Sequence, residues 1–258
     1  MTIAIRDRVA DVRLNRPDKL NALDPDMFSG LMEAGERILR DPSIRAVVLS
    51  GEGRAFSAGL DFKSFLSAGP STLLAPEPGS IANRAQRVAW IFQEIPVPVI
   101  AAVHGVAFGG GLQIALGADI RYATAAAELS VMEIKWGLVP DMSGTQTLRN
   151  LVRQDVAKEL AFTGRVVSGT EAHALGLVTR IVDSPREAAL TAAHEIARRS
   201  PHAIRATKKL LNESFVGGVA EGLRLEEALQ RTLLGSPNQM EAVMANMEKR
   251  EPVFVDPE

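Results

Sequence analysis

For most of its length the chain alternates short apolar runs with amphipathic stretches. The opening "MTIAIRDRVADVRL" alternates apolar and polar positions on either side of "RDR", which predicts two strands, Thr2–Ile5 and Val9–Leu14, around a turn. The turn-forming "RPDKLNALD" follows, with Asp24 placed to cap a helix whose first residue is Pro25. "PDMFSGLMEAGERIL" then spaces its apolar residues at helical intervals, "DPS" stops it, and "IRAVVLSG" reads as a buried strand. The rhythm recurs: helical "IANRAQRVAWIFQEI" precedes strand-like "PVPVIAAVHG", and helical "GGLQIALGA" precedes strand-like "DIRYAT". Strand, helix and strand in succession predict a right-handed α/β architecture, open or spiralling.

From about Pro185 the pattern changes. "PREAALTAAHEIARRS", "HAIRATKKLLNES" and "VAEGLRLEEALQRTLL" are amphipathic helices with no strand between them. The chain is therefore expected to divide into an α/β core over residues 1–184 and a helical region over residues 185–258. Between "FKSFLSAG" and "IANRAQ", the stretch "PSTLLAPEPGS" breaks both periods. It is either a plain surface loop or a mobile flap over a ligand site, at about residues 66–80.

Composition narrows the function classes. At 258 residues the chain can bury one large core with a smaller appendage. A net charge of −2 with interspersed signs leaves no basic face for nucleic acid, so a small molecule is the expected partner. Cysteine is absent, which excludes disulfides, thiol nucleophiles and thiolate metal sites. His104, His173, His194 and His202 are scattered without ligand spacing, so no metal is expected. The N-terminus carries charges throughout, unlike a signal peptide, and no apolar run is long enough to span a bilayer. A cytoplasmic protein with no membrane partner is the default expectation.

Three stretches could carry chemistry. "FGGGLQIALGADI" runs three glycines from a strand into a helix, as a phosphate loop does. It lacks the Gly-Lys-Ser/Thr of a P-loop, and a dinucleotide fingerprint starting at Gly109 meets Ile114 at its last position. What remains is either close strand-to-helix packing or free N–H groups at a helix start that could hold a developing oxyanion. A second glycine turn, "RAFSAGLDF", could present another free N–H to the same place. In "SVMEIKWGLVPDMSGTQTL", Glu133 and Asp141 flank a turn containing Gly137 and Pro140. An acid in so apolar a stretch is either a proton-transfer group with a raised pKa or a salt-bridged or capping acid. Ser143 in "PDMSG" lacks the nucleophile-elbow pattern.

Taken jointly, these stretches resemble the crotonase superfamily, the enoyl-CoA hydratases and isomerases. "DKLNAL", "AFSAGLDF", "PVIAAVHGVAFGGGLQIALGADIRYA", "MEIKWGLVPDMSGTQTL", "KELAFTGRVVSGTEAHALGLVTRIV" and "MEKREPVF" stand in that family's order along nearly the whole chain. The resemblance implies a spiral of ββα units followed by a helical C-terminal region, assembled as a homotrimer or a dimer of trimers. It implies an acyl-CoA substrate, coenzyme A entering as part of that substrate and no separate cofactor. It assigns an oxyanion hole to the backbone N–H groups of Leu60 and Gly110. Substrate contacts fall on Ala58, Gly59, Asp61, Gly109 and Trp136, with Lys249 reaching the phosphates of coenzyme A.

Family hydratases place two glutamates at the positions of Gln113 and Glu133 here. A glutamine cannot serve as a carboxylate base, although its amide can orient a water or a thioester. Asp141 stands where dienoyl-CoA isomerases carry an aspartate, and "SAGLDF" and "KELAFTGR" are also closer to those members. The expectation is a shift of a double bond in an enoyl- or dienoyl-CoA thioester through an enolate, with Glu133 as the base and Asp141 as a second acid/base group. Hydration of a 2-enoyl-CoA and a catalytically silent acyl-CoA-binding homologue are the alternatives.

Overall fold

The N-terminal alternation becomes a hairpin in the computed structural model, which describes residues 1–68 and 73–258 apart from the side chains of residues 66–68. β1 (Thr2–Arg6) and β2 (Val9–Leu14) pair antiparallel around Asp7 and Arg8, both at positive φ. Asp24 then caps α1 (Pro25–Arg40), its side chain accepting from Met27 N–H, with Pro25 in the first turn. β3 (Ala46–Gly51), α2 (Phe62–Ala68), α3 (Arg84–Glu94), β4 (Val99–Val103), β5 (Val106–Phe108) and α4 (Gly110–Leu116) follow. β6 (Ile120–Ala123), β7 (Glu128–Ser130), α5 (Gly144–Leu151), α6 (Gln154–Thr163), β8 (Val167–Ser168), α7 (Gly169–Leu175) and β9 (Arg180–Ile181) complete the α/β part. The chain closes with α8 (Pro185–Ala197), α9 (Pro201–Ser214), α10 (Val219–Leu233) and α11 (Pro237–Glu248).

Among the described residues the strands form two sheets. The larger runs β1-β2-β3-β4-β6-β9 and is parallel beyond the β1–β2 hairpin; the smaller runs β5-β7-β8. After β3, β4 and β6 of the large sheet the chain steps into the second layer. β3 leads to a parallel bridge between Ser57 and Ala107, β4 leads to β5, and β6 leads to β7. That repetition stacks the turns after successive strands on one another, and it is what brings distant turns together at the site.

Period-two alternation divides the large sheet between two cores. Val47, Leu49, Val99 and Ala101 face α1, α3 and α4 in the main core, whereas Val48, Ile100 and Ala102 face away. The second face is covered by α8, whose Ala189, Ala193 and Ala197 are buried against those residues and Tyr122. Small alanines let the helix lie close to the strands. The helical region expected from residue 185 thus begins with a helix packed on the sheet.

α9 is tied to the same sheet by a buried cation. Lys208 Nζ donates to Phe92 O and Val97 O, each at 3.0 Å, and pairs with Asp119 at 2.7 Å. Of the flap expected around residues 66–80, residues 69–72 lie outside the described residues. The stretch after them turns back onto α3, with Arg84 N–H donating to Ala75 O and Ala85 N–H to Leu73 O.

Candidate active site

The two glycine turns meet through backbone. Ser57 N–H donates to Val106 O and Phe108 N–H donates to Ser57 O, so the segment after β3 lies along β5. A Cβ on Gly111 would stand 2.6 Å from Ser57 O, a separation only glycine permits. From there the first segment continues through Ala58 and Gly59 to Leu60, held on its other side by Leu20 and Leu23. Ala58 N–H donates to Leu20 O, Leu23 N–H to Gly59 O and Asp61 N–H to Leu23 O. Among the described residues, neither the Leu60 N–H nor the Gly110 N–H meets an acceptor. The fold thus sets the two glycine turns side by side, with Gly59 against Phe108 and Gly110.

Behind this junction lies Asn21, fully buried at positive φ. Its Oδ1 accepts from Arg16 N–H, its Nδ2 donates to Glu52 O and Ala55 O, and its own carbonyl accepts from Ser57 Oγ. The side chain thus fastens the turn at Arg16 to the loop of residues 52–55, and the Asn21 carbonyl holds Ser57. Sequence reasoning placed Asn21 in turn chemistry without assigning it this role; a buried Asn in a tight turn is the signal that points to it.

Glu133 follows β7 and opens a short 3-10 turn, Glu133–Trp136, that ends at Gly137 in the left-handed region. Its carboxylate lies over the second glycine turn, because a Cβ on Gly109 would stand 3.2 Å from Glu133 Oε1. Gln113, one turn into α4, donates from Nε2 to the same Oε1 at 2.6 Å. Glu133 Oε2 is buried and unpartnered among the described residues. Burial pushes the Glu133 carboxyl above its ordinary range; its own backbone N–H and the Gln113 amide pull it back, and the charge of Asp141 adds to the rise. Burial likewise raises the Asp141 carboxyl, opposed by its own backbone N–H. Neither acid forms an ion pair among the described residues, so the salt-bridged reading of Glu133 does not describe it.

The Gln113 amide is tied into the protein on both sides, with Oε1 accepting from the N–H groups of Met142 and Gly144 at 2.9 Å each. The amide, which can also orient a water or a thioester through its second Nε2 hydrogen, thus joins Glu133 to the backbone of Met142 and Gly144.

Of the residues assigned to substrate contact, Ala58, Gly59 and Gly109 lie at the junction. Asp61 faces Arg16, whose Nη1 donates to it at 2.7 Å, and this guanidinium holds the Asp61 carboxyl below its usual range. Arg16 also reaches Asp24, tying the loop before α1 to the Leu60 segment. Trp136 is exposed and stacks on Phe62 of α2, with ring centroids 4.2 Å apart. Lys249 is exposed at the left-handed C-cap of α11, and among the described residues no hydrogen bond or ion pair joins it to the other site residues. Among the described residues no set of His, Asp or Glu side chains gathers with metal-ligand geometry. No helix there is long and apolar enough to cross a membrane.

The model of the family described as enoyl-CoA hydratase/isomerase matches residues 4–257. The mitochondrial Delta(3,5)-Delta(2,4)-dienoyl-CoA isomerase of Pongo abelii is 35% identical over 257 residues, 94% of this chain and 77% of that protein. The mitochondrial methylglutaconyl-CoA hydratase of Mus musculus is 32% identical over 248 residues, 93% of this chain and 77% of that protein. Among solved structures, the enoyl-CoA hydratase of Bacillus anthracis superposes with a TM-score of 0.90 at 29% identity, covering 98% of this chain and 99% of that one. Isomerases and hydratases are thus similar to the chain to about the same degree.

Proposed function

The chain belongs to the enoyl-CoA hydratase/isomerase family, and from that premise we propose that it shifts a double bond within an enoyl-CoA thioester in preference to adding water across one. The observation that carries this reading is Gln113: where a second carboxylate would be needed to activate water, the side chain is an amide already bonded to Glu133. In a 3-enoyl-CoA, Glu133 Oε2 takes a proton from the carbon beside the thioester carbonyl. The electron pair moves into a dienolate whose charge rests on the thioester oxygen. The Leu60 and Gly110 N–H groups hold that oxygen, and loss of one such donor typically costs about 3 kcal/mol of transition-state stabilisation. The same carboxyl returns the proton at the far end of the dienolate and leaves a 2-enoyl-CoA. A carboxyl held above its ordinary range suits both halves of this exchange, since it can take the proton and give it back.

A second reading is favoured by Asp141. Its half-buried carboxyl lies within electrostatic reach of Glu133, and a second acid would let a proton be taken at one end of a 3,5-dienoyl-CoA and supplied at the other. An assembly of three chains, implied by the family resemblance, would cover the exposed Phe215, Val219, Leu223 and Met247 of the C-terminal helices; light scattering of the purified protein tests it.

The function is tested by supplying 2-enoyl-, 3-enoyl- and 3,5-dienoyl-CoA thioesters in parallel. Turnover of the 3-enoyl compound well above hydration of the 2-enoyl compound is expected. Hydration equal to or faster than isomerisation overturns the reading, and turnover of none of the three supports the silent acyl-CoA-binding homologue.

A further inference from the structure

The amide of Gln113 cannot be turned over. Reversed, it would set its NH2 against the N–H groups of Met142 and Gly144 and its carbonyl against the Glu133 carboxylate. The two backbone donors flank Ser143, which is itself left-handed, with φ 63° and ψ 6°. N–H groups on either side of such a residue form a concave nest suited to an oxygen atom. Holding a non-glycine residue in this region costs about 1–2 kcal/mol, so the surrounding fold imposes the geometry. The nest fixes Gln113, and Gln113 fixes one oxygen of Glu133.

We infer that Gln113 is a positioning residue: anchored by the nest at Met142–Gly144, it holds Glu133 Oε1 and leaves Oε2 as the one oxygen that carries the proton. The inference rests on the isomerase reading and deepens it, because a site so built runs on a single, singly competent carboxylate oxygen. Water addition loses its second base and isomerisation gains a base of fixed aim.

The charged surroundings of Glu133 do not supply this control. Gln113 on α4 is neutral, and Asp141 is the titratable group that acts on Glu133 through space among the described residues. α6, which packs on the Glu133 turn, has its charges engaged elsewhere or in solvent: Asp155 pairs with Arg153, Glu159 with Arg165, and Lys158 is exposed.

The test is an infrared difference titration of the Glu133 carboxyl, assigned by its disappearance in Glu133→Gln, on the unsubstituted protein, Gln113→Met and Gly144→Ala. Methionine keeps the length of the side chain and donates nothing. A Cβ on Gly144 would stand 2.5 Å from Gln113 Oε1 and drives the amide out of the nest. In both variants the midpoint of Glu133 is expected to rise by roughly one to two pH units, since the lost hydrogen bond favoured the charged form. The pH profile of kcat/KM for a 3-enoyl-CoA is expected to move with it, with kcat falling on the order of tenfold while KM stays within about twofold. A midpoint that does not move overturns the inference, and Gly144→Ala supplies that result where Gln113→Met does not fold. Because the titration needs no turnover, an unsubstituted protein that isomerises nothing sinks the reaction assignment separately.

Discussion

Gly59 lies so close to the second glycine turn that a Cβ on it would stand 2.6 Å from Phe108 O and 3.7 Å from the nitrogen of Gly110. With φ at +86°, the residue is also in the region that other residues enter at a cost. Gly59→Ala therefore separates the Leu60 and Gly110 donors while leaving both in place chemically. For a 3-enoyl-CoA, kcat is expected to fall on the order of a hundredfold. Melting should drop by only several degrees. Steady-state kinetics alongside a thermal melt checks this, and an unchanged kcat would show that these two N–H groups are not the pair that holds the oxyanion.

Glu133→Gln separates function from stability. Loss of the base should lower kcat by about a thousandfold. The stability effect has the opposite sign. Burial raises the folded-state pKa of Glu133 above its unfolded value, so the folded chain binds the proton more tightly. Stability from this group is then greatest in acid, below the ordinary carboxylate range, and is lost as pH rises through the folded-state value. Glutamine never ionises and escapes that loss. Glu133→Gln is expected to melt above the unsubstituted protein at about pH 8 and to lose its advantage as pH falls toward about 4. A variant that melts lower across the whole range would mean that the carboxylate is stabilised by the site.

Asp141 decides between the one-acid and two-acid readings. Asp141→Asn keeps the shape of a half-buried side chain and removes its titration. Isomerisation of a 3-enoyl-CoA should stay within about threefold, whereas conversion of a 3,5-dienoyl-CoA should fall by about a hundredfold or more. The variant also takes away the charge that contributes to the rise of Glu133, so the acid limb of the 3-enoyl pH profile should move to lower pH. Equal loss on both substrates would assign Asp141 to the common step.

What was legible in the sequence follows the range of the interactions that determine it. The Asp24–Pro25 start of α1 and the extent of β2 depend on neighbours in the chain, and the structure has both as read. β5, β7 and β8 are three, three and two residues long, too short to show a period of their own, and they exist because partners distant in sequence pair with them. The identities of Gln113, Glu133 and Asp141 could be read, and so could the want of a second glutamate. The aim of Gln113 could not, since it is set by the backbone of Met142 and Gly144, 29 and 31 residues further on.

Asn21 is the other residue whose role appears only in three dimensions, and its substitution yields a test with a pH sign. Asn21→Ala leaves Arg16 N–H, Glu52 O and Ala55 O without their side-chain partner. At about 1–3 kcal/mol for each unmatched buried group, partly relieved by water, a loss of roughly 2–4 kcal/mol is expected. Asn21→Asp should be worse at neutral pH, although it is nearly the same shape. Where Nδ2 donated at 2.9 Å and 2.8 Å to two carbonyls, a carboxylate oxygen would face them with no proton between, inside a fully buried site. Such an acid is held in its neutral form by folding, so its folded-state pKa rises and stability falls as pH increases through that value. The melting temperature of Asn21→Asp should therefore climb toward that of Asn21→Ala as pH is lowered to about 5. Since the side chain also fastens the loop of residues 52–55 that leads into Ser57 and the Leu60 segment, kcat for a 3-enoyl-CoA should fall in both variants well below the melting transition. Thermal melts from about pH 5 to 8, paired with kinetics at about 25 °C, check all three statements. An Asn21→Asp protein as stable as the unsubstituted one at neutral pH would show that the loops close on the site without this clamp.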